Sequence, residues 1–272
     1  MAAPETLLQV RGLGARFTRE GTTARVVKGI SFDIAPGEAV GFVGESGCGK
    51  SVTARAILRL APEGSSLQLD GAIRYRGQDL LQLPEAQMRD IRGRRIAMVF
   101  QDPMSSLNPV MSVGAQIDDM VRRHTGASAP VARRRTVELL GLVGIRDAAR
   151  RVDDYPHQFS GGMRQRVMIA MAVSCAPDLL IADEPTTALD VTVQAQILRL
   201  LMRLRQELGM ALMLITHDFG VIAGMVERVY VMLDGEIVES GTVDALFAAP
   251  QHAYTRALLD AVPRLDSATR PA

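Results

Sequence analysis

Apolar residues along this chain follow two different rhythms. In the first they run unbroken over short stretches: Ala39-Val-Gly-Phe-Val43, Leu179-Leu-Ile-Ala-Asp183 and Met210 to Ile215. A short run that is apolar on both faces, as the one between Pro177 and Pro185 is, predicts a central strand of a parallel sheet. In the second rhythm apolar positions recur at helical spacing, most clearly over Val191 to Leu208, where Gly209 supplies the stop. Strand, helix, strand in this succession predicts a parallel sheet with crossover helices.

The remaining pattern fills in around that core. The stretch up to about Ile34 mixes β-branched residues with Gly12, Gly14, Gly21 and Gly29, and predicts short strands and turns. Leu83 to Met98 is charged and helical, broken by Val99-Phe100-Gln101-Asp102-Pro103 and again at Asn108-Pro109. Residues 112 to about 155 are helical in pattern, with Gly126, Gly141 and Gly144 as interruptions. A helix is expected from Gly162 to about Ala176, a hairpin at Asp234-Gly235 between Val229 to Leu233 and Glu236 to Glu239, and a helix followed by a flexible tail after Gln251. No internal repeat is visible.

Composition narrows the classes. At 272 residues and 47% hydrophobic content the chain can build one large domain or two modest ones. The longest membrane-like stretch, Val167 to Pro177, is too short and carries Ser174 and Cys175. Met1 to Glu5 has no basic, then apolar, leader pattern, so a secretion signal is not expected. Cys48 and Cys175 are too few and too separate for a disulfide framework, which points to a reducing cytoplasm. Lys plus Arg (31) balances Asp plus Glu (30), against a globally basic nucleic-acid binder. The runs Arg89 to Arg95, Arg133 to Arg135 and Arg146 to Arg151 read as solvated helix faces.

The chemistry starts at Gly44, Glu45, Ser46, Gly47, Cys48, Gly49, Lys50, Ser51, which fit G-x-x-x-x-G-K-[ST] between a strand and a helix expected over Ser51 to Leu60. Glycines let backbone N–H groups wrap a phosphate chain at a helix start, where the dipole already favours anions. Lys50 adds a mobile positive charge and Ser51 a hydroxyl for Mg2+. Asp183 and Glu184 close the buried strand at the end where open α/β sheets bind ligands. Asp183 suits Mg2+ and Glu184 suits the attacking water; without the phosphate loop, the pair would read as a helix cap. His217 follows the next strand and falls at the same edge, within reach of a terminal phosphate. Gln101, after an apolar run, can reach Mg2+ or the water.

With Phe159-Ser160-Gly161-Gly162-Met163-Arg164-Gln165-Arg166 added, the set resembles the nucleotide-binding subunit of an ABC transporter. The resemblance takes in the glutamine loop at Gln101, the signature at 159 to 165, a D-loop at Ala188-Leu189-Asp190 and a switch histidine at His217. It spans about residues 5 to 262, with a helical insertion over about 104–165 and a flexible tail at 263–272. The implied fold is α/β: a P-loop NTPase (RecA-like) parallel-sheet core with an N-terminal antiparallel β subdomain and an inserted helical subdomain. Phe100-Gln-Asp-Pro-Met-Ser-Ser-Leu-Asn-Pro109 and His252-Ala-Tyr-Thr-Arg-Ala-Leu-Leu259 are similar to the peptide and nickel importer branch, closest to dipeptide and oligopeptide ATPases.

What the resemblance implies is an ATPase using ATP and Mg2+ to drive peptide uptake. Glu184, His217, Lys50 and Gln101 would be catalytic, and Ser51, Gln101 and Asp183 would hold Mg2+. Val52, Gln165 and Asp190 would join the phosphate loop as nucleotide contacts, and Phe17 would stack on adenine or belong to the β core. Ser160, Gly161 and Gly162 would complete the site of a second, related ATPase closing head to tail. The implied partners are two membrane-spanning permease subunits, contacted around Met104 to Met111, and an extracytoplasmic solute-binding protein; nucleic acid is not among them. The implied location is the cytoplasmic face of the inner membrane. Nickel, glutathione or another small solute stays open as cargo, and a soluble ABC ATPase on nucleic acid is the rival, although its usual second cassette or long insertion is missing. Some peptide-importer ATPases carry cysteines after the His-x-Tyr-Thr segment; none follows Ala261-Val-Pro-Arg-Leu265, so no iron–sulfur cluster is expected, and the chain would be a shorter member or half of a fused pair. A thiol as near the phosphates as Cys48 would make the ATPase sensitive to alkylation.

Overall fold

The computed structural model describes residues 6–61, 64–187 and 189–261. Two long antiparallel strands, β1 (Leu8–Arg19) and β2 (Thr22–Ile34), open the chain, and β3 (Ala39–Val43) runs into the phosphate loop and helix α1 (Lys50–Ile57). β4 (Ser66–Tyr75) and short β5 (Gln78–Asp79) return to the first sheet, then α2 (Glu85–Ile91) leads to β6 (Ile96–Val99). A helical block follows: α3 (Pro103–Ser106), α4 (Val113–Thr125), α5 (Ala129–Leu142), α6 (Ala148–Arg151) and α7 (Gly161–Ala172). The chain closes through β7 (Leu179–Asp183), α8 (Val191–Leu208), β8 (Ala211–Thr216), α9 (Phe219–Ile222), β9 (Arg228–Leu233), β10 (Glu236–Thr242), α10 (Val243–Ala248) and α11 (Ala253–Asp260).

The first sheet runs β2-β1-β4-β5 and is antiparallel; the second runs β10-β9-β3-β8-β7-β6 and is parallel except at its β10 edge. Every residue of β3, β6, β7 and β8 is buried. The reason is visible in the alternation: Leu180, Ala182, Leu212 and Leu214 face a core shared with the helical block, while Leu179, Ile181, Met213 and Ile215 face one shared with the first sheet. Phe32, Phe42 and Tyr230 knit the two sheets, with ring centroids 4.8 to 5.6 Å apart.

Several expectations shift. The N-terminal flank is two long strands rather than many short ones: only Gly21 turns the chain, while Gly12 and Gly14 sit where the β1 register slips. The helix expected to Met98 stops at Ile91, because Gly93 takes φ +75° and Ile96–Val99 pairs with β7. The helix expected to Ala176 stops at Ala172, since Pro177 keeps the residue before it out of the helical region and Ala176 adopts φ +49°. The hairpin holds, with Asp234 and Gly235 both left-handed. β4 and α10 carried no sequence expectation. The expected tail at 263–272 and Ala188 lie outside the described residues.

Candidate functional site: a phosphate loop and a held glutamate

Strand register decides where the chemistry converges. Val43 pairs with Thr216 and Asp183 with Ile215, so the phosphate loop, Glu184 and His217 all leave the sheet at one carboxyl edge. Gly44 must be glycine for a steric reason, since a Cβ there would lie 2.1 Å from the Met232 carbonyl oxygen. Gly49, left-handed at φ 108°, turns the loop into α1. Lys50 is 4% exposed and folds back, its Nζ donating to the carbonyls of Gly44 (2.6 Å) and Glu45 (2.8 Å). A polyphosphate would compete for that ammonium group.

Ser51 Oγ donates to Asp183 Oδ1 at 2.7 Å, and Asp183 is 2% exposed. Burial pushes the Asp183 carboxyl above its ordinary value, the Ser51 hydrogen bond opposes this and the Glu184 charge adds to it. A hydroxyl, a carboxylate and a side-chain amide oxygen are hard donors that fit Mg2+, which keeps most of its shell as water and phosphate. Among the described residues no group of three or more His, Cys, Asp or Glu is placed to hold a metal ion.

Glu184 stands just past the strand with φ +45°, a strained value for glutamate, and its N–H donates to Ile215 O at 3.0 Å. Its carboxylate is held from several sides. Gln101 Nε2 donates to Oε2 at 3.0 Å, Thr187 Oγ1 to the same oxygen at 2.9 Å, and His217 Nδ1 lies 3.5 Å from Oε1. The Gln101 nitrogen is thereby engaged, which leaves its carbonyl oxygen as the donor for a cation. Thr187 was missed by sequence reading; its only signal is a hydroxyl three residues after the glutamate.

The other expected site residues are dispersed. Ser160 caps α7, its Oγ accepting from Met163 N at 3.4 Å, and Asp190 caps α8, accepting from Val193 N at 2.9 Å. Gly162 lets α7 approach α8, as a Cβ would meet Val193 Cγ1 at 2.6 Å. Among the described residues no hydrogen bond joins Ser160, Gly161, Gly162 or Asp190 to the phosphate-loop cluster. Gln165 is interior at 1% exposure, and its Nε2 has no hydrogen-bond partner among the described residues. Phe17 is half-buried beside Ala24 and Leu67 and belongs to neither core cluster, against its reading as a core residue. Cys48 is buried at 6% exposure, and burial raises its thiol pKa despite Lys50 Nζ at 3.7 Å, which removes the reason for ready alkylation.

The chain is similar to known proteins. Residues 27–187 match the ABC transporter family, and residues 238–272 match the oligopeptide/dipeptide transporter C-terminal region. A probable peptide ABC transporter ATP-binding protein of Sinorhizobium fredii is 54% identical over 95% of this chain and 77% of its own length. The dipeptide transport ATP-binding protein of Bacillus subtilis is 51% identical over 96% of this chain and 78% of its own. Among solved structures, a dimeric ATP-binding cassette in a post-hydrolysis state with ADP and Pi superposes with a TM-score of 0.75 at 27% identity, covering 87% of this chain and 98% of that one. The structure of cbiO1 from Clostridium perfringens, part of an ABC transporter complex, gives 0.73 at 27% identity, over 90% and 92%. The phosphate loop, the held glutamate and these likenesses agree: the chain belongs to the ABC transporter family, as an ATP-binding subunit that hydrolyses ATP.

Proposed function

We propose that the cassette powers peptide import by closing head to tail with a second cassette around ATP. The carrying observation is the Glu184 carboxylate, fixed by Gln101 and Thr187 beside His217 at the edge where Lys50 emerges. Held there, Glu184 takes a proton from the attacking water as general base, His217 orients the terminal phosphate and Lys50 offsets its charge. Mg2+, carried by Ser51, Asp183 and Gln101, would neutralise charge on the β- and γ-phosphates. Phosphoryl transfer passes through a loose transition state, so positioned charge supplies most of the catalysis.

Closure with a partner is supported by the separation between this site and the signature. Ser160 and the glycines after it open a twelve-residue helix whose N-terminal N–H groups favour an anion; Ser160 Oγ takes that of Met163, while those of Gly161 and Gly162 have no hydrogen-bond partner among the described residues. Val191, beside Asp190, is 82% exposed, an apolar residue such an interface would cover. Asp190 would contact nucleotide in that closed state, and Phe17 would stack on adenine.

No helix among the described residues is long and apolar enough to cross a membrane, so attachment at the cytoplasmic face would run through permease subunits. A groove of about 1070 Å³ between the core and the helical block, lined by Phe100, Gln101, Asp102, Ser105, Arg123 and Met168, suits a permease helix. Met104, Val110 and Met111 are exposed. Gln101 lines the groove and also holds Glu184, so it joins transport to hydrolysis. Peptide cargo is supported by the relatives' names and by the C-terminal match, with an extracytoplasmic binding protein delivering it.

Glu184→Gln is the test. Turnover is expected to fall about 10²- to 10⁴-fold while ATP binding persists and an ATP-dependent dimer accumulates by size exclusion. Wild-type turnover in that variant would sink the reading. With its permeases in vesicles, ATP-dependent uptake of a labelled dipeptide, and not of nickel, checks the cargo.

A further inference from the structure

The last described helix reaches back to the phosphate loop. The N–H of Glu45 donates a 2.8 Å hydrogen bond to the Tyr254 hydroxyl of α11, across 209 residues of sequence. The other side of that same peptide group, the Gly44 carbonyl, accepts Lys50 Nζ at 2.6 Å. The Gly44–Glu45 peptide plane is therefore pinned at both its polar atoms, one by the catalytic lysine and one by Tyr254.

Tyr254 is itself held firmly. The Glu239 carboxylate on β10 accepts the N–H groups of Gln251 (2.7 Å) and His252 (3.0 Å), clamping the start of α11. His252 Nδ1 then accepts the Tyr254 N–H at 3.2 Å, and the Tyr254 ring packs with Leu258 and Leu259 on the helical-block core. The β9–β10 turn grips the loop at a second point, where Gly235 N donates to Cys48 O at 2.9 Å. The segment after β9 thus fixes the loop at Cys48 and at Glu45.

We propose that Tyr254 is a positioning residue for the nucleotide: its hydroxyl presets the Gly44–Glu45 peptide, so the phosphate loop binds polyphosphate without first losing freedom. When Lys50 leaves Gly44 O for a phosphate, Tyr254 is the remaining anchor of that peptide. The effect rests on the reading of residues 44–51 as the ATP site, and it falls on binding rather than on the chemical step. Because the loop holds the phosphates ADP and ATP share, both weaken together.

The experiment compares full-length wild type with Tyr254→Phe, measuring ADP and ATP affinity, the KM and kcat for ATP, and thermal stability. One lost hydrogen bond is expected to weaken both nucleotides about fivefold and raise KM in step, with kcat within about twofold. Glu239→Ala, which frees the start of α11, is expected to give the same signature, and the double variant little more than either alone. Unchanged affinity for both nucleotides in Tyr254→Phe overturns the proposal. So does a fall in stability or kcat at constant KM, the mark of a merely structural tyrosine. If wild type itself binds neither nucleotide, it is the ATPase reading that fails.

Discussion

Ser51 Oγ donates a 2.7 Å hydrogen bond to Asp183 Oδ1, latching the first turn of α1 to the end of β7. The carboxylate so held is almost wholly buried, and burial lifts its pKa. A folded pKa above the unfolded one means that ionisation favours the unfolded chain. Stability of the nucleotide-free protein therefore falls as pH rises from the ordinary carboxylate range through the raised value, then levels off. Asp183→Asn keeps an acceptor for Ser51, so its thermal midpoint at neutral pH is expected to exceed wild type and to lack that slope. Its Mg-dependent turnover is expected to drop about a hundredfold. A lower midpoint at neutral pH refutes the burial argument.

The partners of Glu184 should differ in weight. Thr187→Val removes one of the hydrogen bonds to the Glu184 carboxylate while keeping shape, and kcat is expected to fall about fivefold. His217→Ala removes the group beside the other carboxylate oxygen and is expected to cost about tenfold or more, with ATP affinity retained. Steady-state kinetics rank the two, and a Thr187→Val variant slower than Glu184→Gln would contradict the assignment of the base.

The sheet was readable because burial on both faces leaves unbroken apolar runs: Ala39–Val43 and Leu179–Asp183 came out with the observed boundaries. Val191–Leu208 was readable because its stripe ends at Gly209, left-handed as a C-cap should be. β4 was not, since Ser66–Tyr75 is mostly half-exposed and its pattern has neither rhythm. At the site, Lys50, Ser51, Asp183 and Glu184 carry their chemistry in local spacing. Thr187 and Tyr254 do not: a threonine in a loop and a tyrosine on α11 acquire a role only when the fold brings them to Glu184 and Glu45. Gln165 shows the opposite limit, because its place in the signature does not reveal that the helix buries it.

Neighbouring signature glycines should respond unequally to the same change. A Cβ at Gly162 would stand 2.6 Å from Val193 Cγ1, within the packed seam of α7 and α8, whereas at Gly161 the nearest atom is Leu189 Cδ2 at 3.7 Å. Gly162→Ala is expected to lose about 1–3 kcal/mol in chemical denaturation, the usual cost of overpacking. Gly161→Ala is expected to stay within about 0.5 kcal/mol of wild type. Equal losses would show that the seam yields freely at Val193.

Cys48 supplies a test of burial against charge. Lys50 Nζ at 3.7 Å favours a thiolate, while enclosure against Gly44 disfavours it, and enclosure is the larger influence, leaving the thiol above its ordinary value. At neutral pH the reactive thiolate is then scarcer than in a free cysteine, and the sulfur is also hard to reach. Iodoacetamide is expected to modify native protein at least about tenfold more slowly than glutathione at the same pH, with ATPase activity surviving over that interval. Urea should release the full rate, since unfolding removes enclosure and lysine together. Rapid loss of activity in the native chain, prevented by Cys48→Ser, would mean that Lys50 outweighs burial and that the loop opens far enough to admit the reagent.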